Sequence, residues 1–178
     1  EYVLARSNFY NAVHTVYTEL PYGQAPMGIF STGTGITFVP YPIGTYALGT
    51  NAQGQVNTFA RKVKMTASQI VGQFGIENCP RFVQDTYRSN NGYTEYFTVC
   101  WLVEQNDKSN PEELGSKKMP YRSVYWVDGS DSNEVLAATG FEEWAIPVAR
   151  YDVKGLNSYG TGPGWDALPD SRMLQKME

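Results

Sequence analysis

The spacing of apolar residues changes several times along this chain, and each change marks a change of element. Between Leu4 and Leu20, Phe9, Val13, Val16 and Leu20 recur at intervals of three and four, the period of an amphipathic helix. Pro21, Tyr22 and Gly23 end it. From Gly28 to Lys64 the pattern becomes that of strands: Ile29, Ile36, Phe38, Tyr46, Leu48, Val56, Phe59 and Val63 are set apart by glycines, threonines and prolines. Asn51 to Gly54 reads as a turn between two of these strands. Thr66-Ala-Ser-Gln69 has the form of a capping box, in which the threonine oxygen takes the amide of Gln69 and the glutamine side chain reaches back. The short helix it opens closes at Gly75, a residue suited to a left-handed cap, and Pro80 opens another that runs to about Arg88.

The second half continues as strands. Phe97, Val99, Trp101 and Val103 alternate within a predicted strand from Tyr93 to Glu104, Arg122 to Val127 forms the next, and Glu134 to Ala138 a third. Asp128 to Asp131 links the last two as a hairpin turn. Gln105 to Lys118 is polar and reads as a mobile loop. Trp144 to Arg150 is extended. The last helix starts near Trp165 or Asp166, which places Pro169 in its first turn, where amides have no intrahelical partner. Met173, Leu174 and Met177 lie at helical spacing with no glycine cap or proline after them, the pattern expected of a piece cut from a longer protein. The fold class is α+β, in a chain of 178 residues that is long enough for one cored domain or two small lobes.

Composition narrows the function. A net charge of -4 and a pI near 5.1 argue against a protein that grips nucleic acid through a basic patch. Thirteen tyrosines suit strands and subunit contacts. Cys79 and Cys100 form no C-x-x-C, so reduced thiols are expected rather than a metal or disulfide framework. No apolar run approaches the ~20 residues of a membrane span, and the first residues, EYVLARSNFY, lack the layout of a signal peptide.

Candidate chemistry is sparse. Gly160-Thr-Gly162-Pro-Gly164 lacks the lysine and hydroxyl residue of a phosphate loop, and reads as a turn feeding a helix. Ser31, in GIFSTG, misses the spacing of a nucleophile elbow. His14 is the one histidine, a packing or surface residue. Asp128 to Glu134 lacks the alternation of a calcium loop, and Cys100 reads as a small buried hydrophobe. No catalytic, cofactor-binding or metal-binding residue is expected. Lys108, Lys117, Lys118 and Arg122 form a modest basic cluster around the polar loop, a solvated surface or a partner-docking site.

Taken in order, three stretches resemble the head-to-tail connecting, or portal, proteins of tailed phages, especially the short-tailed kind. They are GTYALGTNAQGQVNTFARKVKMTASQIVGQFG from Gly44; MPYRSVYWV from Met119, followed by VLAATGFEEWAIPVARYDV from Val135; and YGTGPGWDALPDSRMLQ from Tyr159. The resemblance covers nearly the whole chain. It implies an internal fragment of a phage or prophage portal: a wing-like segment over 1–92, a clip-like strand-loop-strand segment over 93–140, and a return segment with the start of a stem helix over 141–178. It implies a structural, non-enzymatic subunit of a dodecameric ring at the capsid vertex, assembled in the host cytoplasm. Its partners would be the terminase motor, tail or adaptor proteins, capsid and scaffold, with double-stranded DNA passing through the channel without sequence specificity and no membrane involved. Another virion tail or adaptor protein is one alternative, and a hydrolase with a carboxylate site, which needs paired carboxylates in a cleft, is another.

Overall fold

The computed structural model describes residues 2–33, 35–89, 91–109, 115, 118–131 and 134–177. The chain forms two compact units, one of residues 1–57 and 144–178 and one of residues 58–143. Helices and antiparallel strands are mixed in it, as the α+β reading expects.

The first unit begins with α1 (Tyr2–Arg6) and α2 (Phe9–Glu19), followed by a 3-10 turn, Leu20–Tyr22. The periodicity predicts one helix here; the structure breaks it at Ser7 and Asn8. Asn8 turns its side chain to a backbone 30 residues away, its Nδ2 donating to the Phe38 carbonyl at 2.6 Å and its Oδ1 accepting from the Phe38 N–H at 2.9 Å. Ser7 Oγ donates to the Leu4 carbonyl at 2.8 Å. Short polar side chains that bond to backbone in this way compete with the helical ladder. β1 (Gln24–Thr32) pairs antiparallel with β2 (Gly35–Pro40), in register Ile29 to Phe38, so Asn8 satisfies groups on the outer edge of β2. α2 packs on β1 and β2 through buried Ala12 and an edge-on contact of Phe9 with Phe38, ring centres 5.0 Å apart. β3 is Tyr46–Thr50.

β4 (Val56–Thr66) carries the chain into the second unit, where β4, β5 (Tyr96–Gln105), β6 (Tyr121–Val127) and β7 (Ala137–Phe141) pair in sequence order, all antiparallel. α3 (Ala67–Phe74) starts at the predicted capping box: Thr66 Oγ1 accepts from the Gln69 N–H at 3.3 Å, and Gln69 Oε1 from the Thr66 N–H at 2.9 Å. Gly75 ends it with φ 84° but ψ 147°, a positive-φ exit that is extended in ψ rather than left-handed helical. α4 (Arg81–Arg88) follows Pro80, which stands just outside the helix. Ala67, Ile70, Cys79 and Val83 meet Val99, Val127 and Leu136 in the core of this unit. Beside it, Trp101 stacks on Tyr125 with ring centres 5.3 Å apart, meets Phe59 edge-on, and donates its indole N–H to Ser123 Oγ at 2.9 Å.

Two strand boundaries move. β5 starts at Tyr96, not Tyr93, because the amides of Thr94 and Glu95 turn back to the Asn91 carbonyl at 3.0 and 3.1 Å. β7 covers Ala137–Phe141, not Glu134 to Ala138. The Glu134 amide is spent on the Asp131 carbonyl at 2.9 Å, and Leu136, 2% exposed, drops into the core, so the link from β6 is longer than a tight hairpin.

The chain returns to the first unit through β8 (Val148–Arg150), which pairs with β1. α5 (Pro163–Met177) starts earlier than predicted, with Pro163 in the first position, where its fixed φ suits a helix start. Pro169 is therefore in the second turn and not the first; it has no N–H to give the Trp165 carbonyl.

Candidate functional site

β5 and β6 of the second unit are joined by the polar loop that carries the basic cluster. Asn106, just past β5, closes the base of this loop. It is buried, its backbone N–H donates to the Pro120 carbonyl at 2.8 Å, and its Nδ2 donates to the Met119 carbonyl at 2.8 Å. Its Oδ1 and carbonyl then accept the amides of Lys108 and Ser109 at 3.2 and 3.1 Å, a turn built on one side chain. The two strands below continue the ladder from Gln105–Tyr121 to Val99–Val127. The loop is therefore mounted on a paired, hydrogen-bonded base.

The four candidate cations are not equivalent. Lys108 is exposed on the described arm of the loop. Lys118 is half-buried, with its amide on the Gly115 carbonyl at 3.0 Å. Lys117 lies outside the described residues. Arg122 is on β6, directly across from Glu104 on β5, and the two form an ion pair. The structure thus groups Lys108 and Lys118 with the loop and ties Arg122 to the face of the sheet. Reading the sequence missed Asn106 and Glu104. An asparagine at a strand end is a usable signal for a loop clamp; a cross-strand partner needs the register, which composition does not supply.

The groups with reactive potential sit in quiet surroundings. Burial pushes the thiols of Cys79 and Cys100 up, away from the thiolate form that does chemistry. Burial likewise pushes the Tyr125 phenol up to about 12. Asp128 pairs with Lys62 at 2.9 Å on exposed surface. Asp131 and Glu134 line a hollow of about 280 Å³ with Val124, Trp126, Ser130 and Val135, but both carboxylates are exposed, unlike a carboxyl desolvated for acid-base work. Among the described residues no group of three or more His, Cys, Asp or Glu could hold a metal, and no helix is long and apolar enough to cross a membrane. The glycines of the 160–164 run face backbone of the first unit rather than open space.

The most conspicuous surface is α5. None of its residues is buried, and Trp165, Leu168, Met173, Leu174 and Met177 are 41–79% exposed.

The chain is similar to phage proteins of known name. It is 33% identical over 176 residues to the portal protein of Salmonella phage epsilon15, aligning 97% of this chain with 32% of that protein. It is 29% identical over 182 residues to the probable portal protein of Bordetella phage BPP-1, 97% against 31%. The chain thus spans about a third of the length of these relatives. Its residues 2–178 match the family of the bacteriophage head to tail connecting protein, and the chain belongs to that family.

Proposed function

We propose that this chain is part of a portal subunit, the ring at one capsid vertex through which DNA enters and leaves the head. The observation that carries the reading is the extent of the family match, residues 2–178, together with two relatives of portal name that align with 97% of the chain. In this reading 1–92 is wing-like, 93–140 clip-like, and 141–178 a return leading into a stem helix. The subunits form a homo-oligomeric ring held by capsid and scaffold; it is assembled in the host cytoplasm and ends in the virion. The terminase motor docks first and tail or adaptor proteins later. The role is structural, with catalysis left to the motor.

Two features support the reading. A net charge of -4 suits a conduit, because affinity for passing DNA grows with the number of phosphates that Lys and Arg neutralise. The exposed apolar residues of α5 suit a helix that finishes its packing against other parts of a larger assembly. Within this reading the loop over Gln105 to Met119 is the contact for motor or adaptor, with Lys108, Lys117 and Lys118 steering encounter and Arg122 on the strand at its base, paired with Glu104. Electron microscopy of the full-length protein tests the assignment. Closed rings with a central channel are expected; a protein that forms no ring, alone or with its scaffold, overturns it.

A further inference from the structure

Within the first unit three stretches of backbone, 20–24, 150–152 and 159–165, cross at contact distance. A Cβ on Gly160 would lie 2.2 Å from the Gly23 carbonyl oxygen, and one on Gly162 would lie 2.2 Å from that of Pro21. Gly23 has φ 124° and is equally tight against Gly160. Hydrogen bonds lace the crossing from several sides. The Tyr151 N–H donates to the Gly23 carbonyl at 2.9 Å, and Asp152 and Thr161 exchange two backbone bonds of 3.1 and 2.8 Å. The Gly160 N–H donates to Oε1 of buried Gln24 at 3.1 Å, and the hydroxyl of Tyr159 accepts the Leu48 N–H at 3.0 Å. From the first turn of α5, the Trp165 indole N–H donates to the Tyr22 carbonyl at 2.7 Å.

We propose that this crossing is a rigid joint that makes α5 and the end of α2 move as one body, so that displacement of α5 is passed to the helical layer on β1 and β2. α2 runs without interruption into the 3-10 turn that Trp165 holds, the Leu20 amide still bonding to the Val16 carbonyl. A hinge needs residues free to absorb changes of φ and ψ. Gly160 and Gly162 look like such residues in the sequence, but the backbone packed against them leaves no room to turn. The adjoining loop 153–157 is exposed throughout; at the centre of the crossing Gly23, Gln24, Gly160 and Gly162 are buried, with Tyr22, Tyr151, Asp152 and Trp165 exposed at its rim.

Amide hydrogen exchange on the intact protein tests this. Tyr151, Asp152, Gly160 and Thr161 should exchange at least about 100-fold more slowly than Leu156 and Asn157 in the exposed loop, as amides of a cooperative unit do relative to a fraying one. Trp165→Phe keeps an aromatic side chain and removes the indole donor. It should speed exchange about fivefold to tenfold at Gly23, on the turn, and at Thr161, on the approach to α5, together, the size expected of one lost hydrogen bond. Ser31 and Thr37 in the β1–β2 hairpin should not change. Gly162→Ala should give a larger effect at the same positions. If Gly160 and Thr161 already exchange as fast as Leu156 in the unaltered protein, the joint is loose. If Trp165→Phe speeds Thr161 and leaves Gly23 untouched, the two sides are not coupled. Either result overturns the proposal, and the first needs no variant to fold.

Discussion

Replacing Asn106 with alanine separates a loop that is built to be presented from one that is merely tethered. The residue is 8% exposed, and its side chain bonds through Nδ2 to the Met119 carbonyl at 2.8 Å and through Oδ1 from the Lys108 N–H at 3.2 Å, among its interactions. Alanine deletes both and keeps the backbone bond to Pro120. Each bond contributes about 1 kcal/mol net, and a carbonyl left unpaired in a buried setting adds its desolvation, so the loss is about 1–3 kcal/mol. With a urea slope of ~2 kcal/mol per M, the unfolding midpoint should fall by roughly 0.5–1.5 M. Exchange at the Lys108 amide should rise with it. In the full-length protein, rings should still form while motor binding weakens, because a loop with many conformations must be ordered on docking. An unchanged midpoint together with unchanged exchange at Lys108 refutes the view that Asn106 holds the loop.

Four further outcomes follow from the same structure. Changing Lys108, Lys117 and Lys118 together to glutamate should leave ring assembly intact and slow motor association, most at low salt; a normal rate across salt concentrations removes the docking role of the loop. Thr66→Ala should cost ~1 kcal/mol in denaturant melts, the usual value of an N-cap, and a loss near zero would mean that Gln69 alone sustains the start of α3. Arg122→Ala should change stability by less than about 1 kcal/mol, since the Arg122 side of its ion pair with half-buried Glu104 is exposed to solvent, and a larger loss would show that the pair organises the sheet. For Tyr125 the phenol is raised from 10.0 to about 12 in the folded protein. Its contribution is complete below pH 10, where folded and unfolded states both keep the proton, and is lost as pH rises from there through about 12. Stability should fall across that window and fall less in Tyr125→Phe, measured by melts at stepped pH; identical profiles for the two proteins would count against a buried phenol.

Legibility in the sequence followed the range of the interactions. The capping box at Thr66 and Gln69, the helix after Pro80 and the strand over Arg122 to Val127 are set by neighbours a few residues apart, and the structure has them where the pattern put them. The break between α1 and α2 was invisible because Asn8 bonds to Phe38, 30 residues on. The pattern alone starts β7 at Glu134, whereas the strand begins at Ala137 because Leu136 is drawn into the core, and core demand outranks local strand preference. The sequence pattern alone puts Pro169 in a first turn, whereas α5 begins at Pro163, after glycines that pack on backbone far off in sequence.

For the candidate site the division is similar. Polar composition between two strands was enough to mark the loop and its lysines, since alternation and charge are properties of the string itself. Whether a cation is available is a property of the register: Arg122 faces Glu104 only because β5 and β6 pair with that alignment. The family, likewise, could be read from ordered motifs along the chain, because a run of segments in the right order is itself sequence. The glycines of 160–164 show the limit most clearly. Composition marks a flexible run before a helix, while the fold packs Gly160 and Gly162 against Gly23 and Pro21. The absence of a side chain, which means freedom in an isolated peptide, here permits contact so close that little freedom remains.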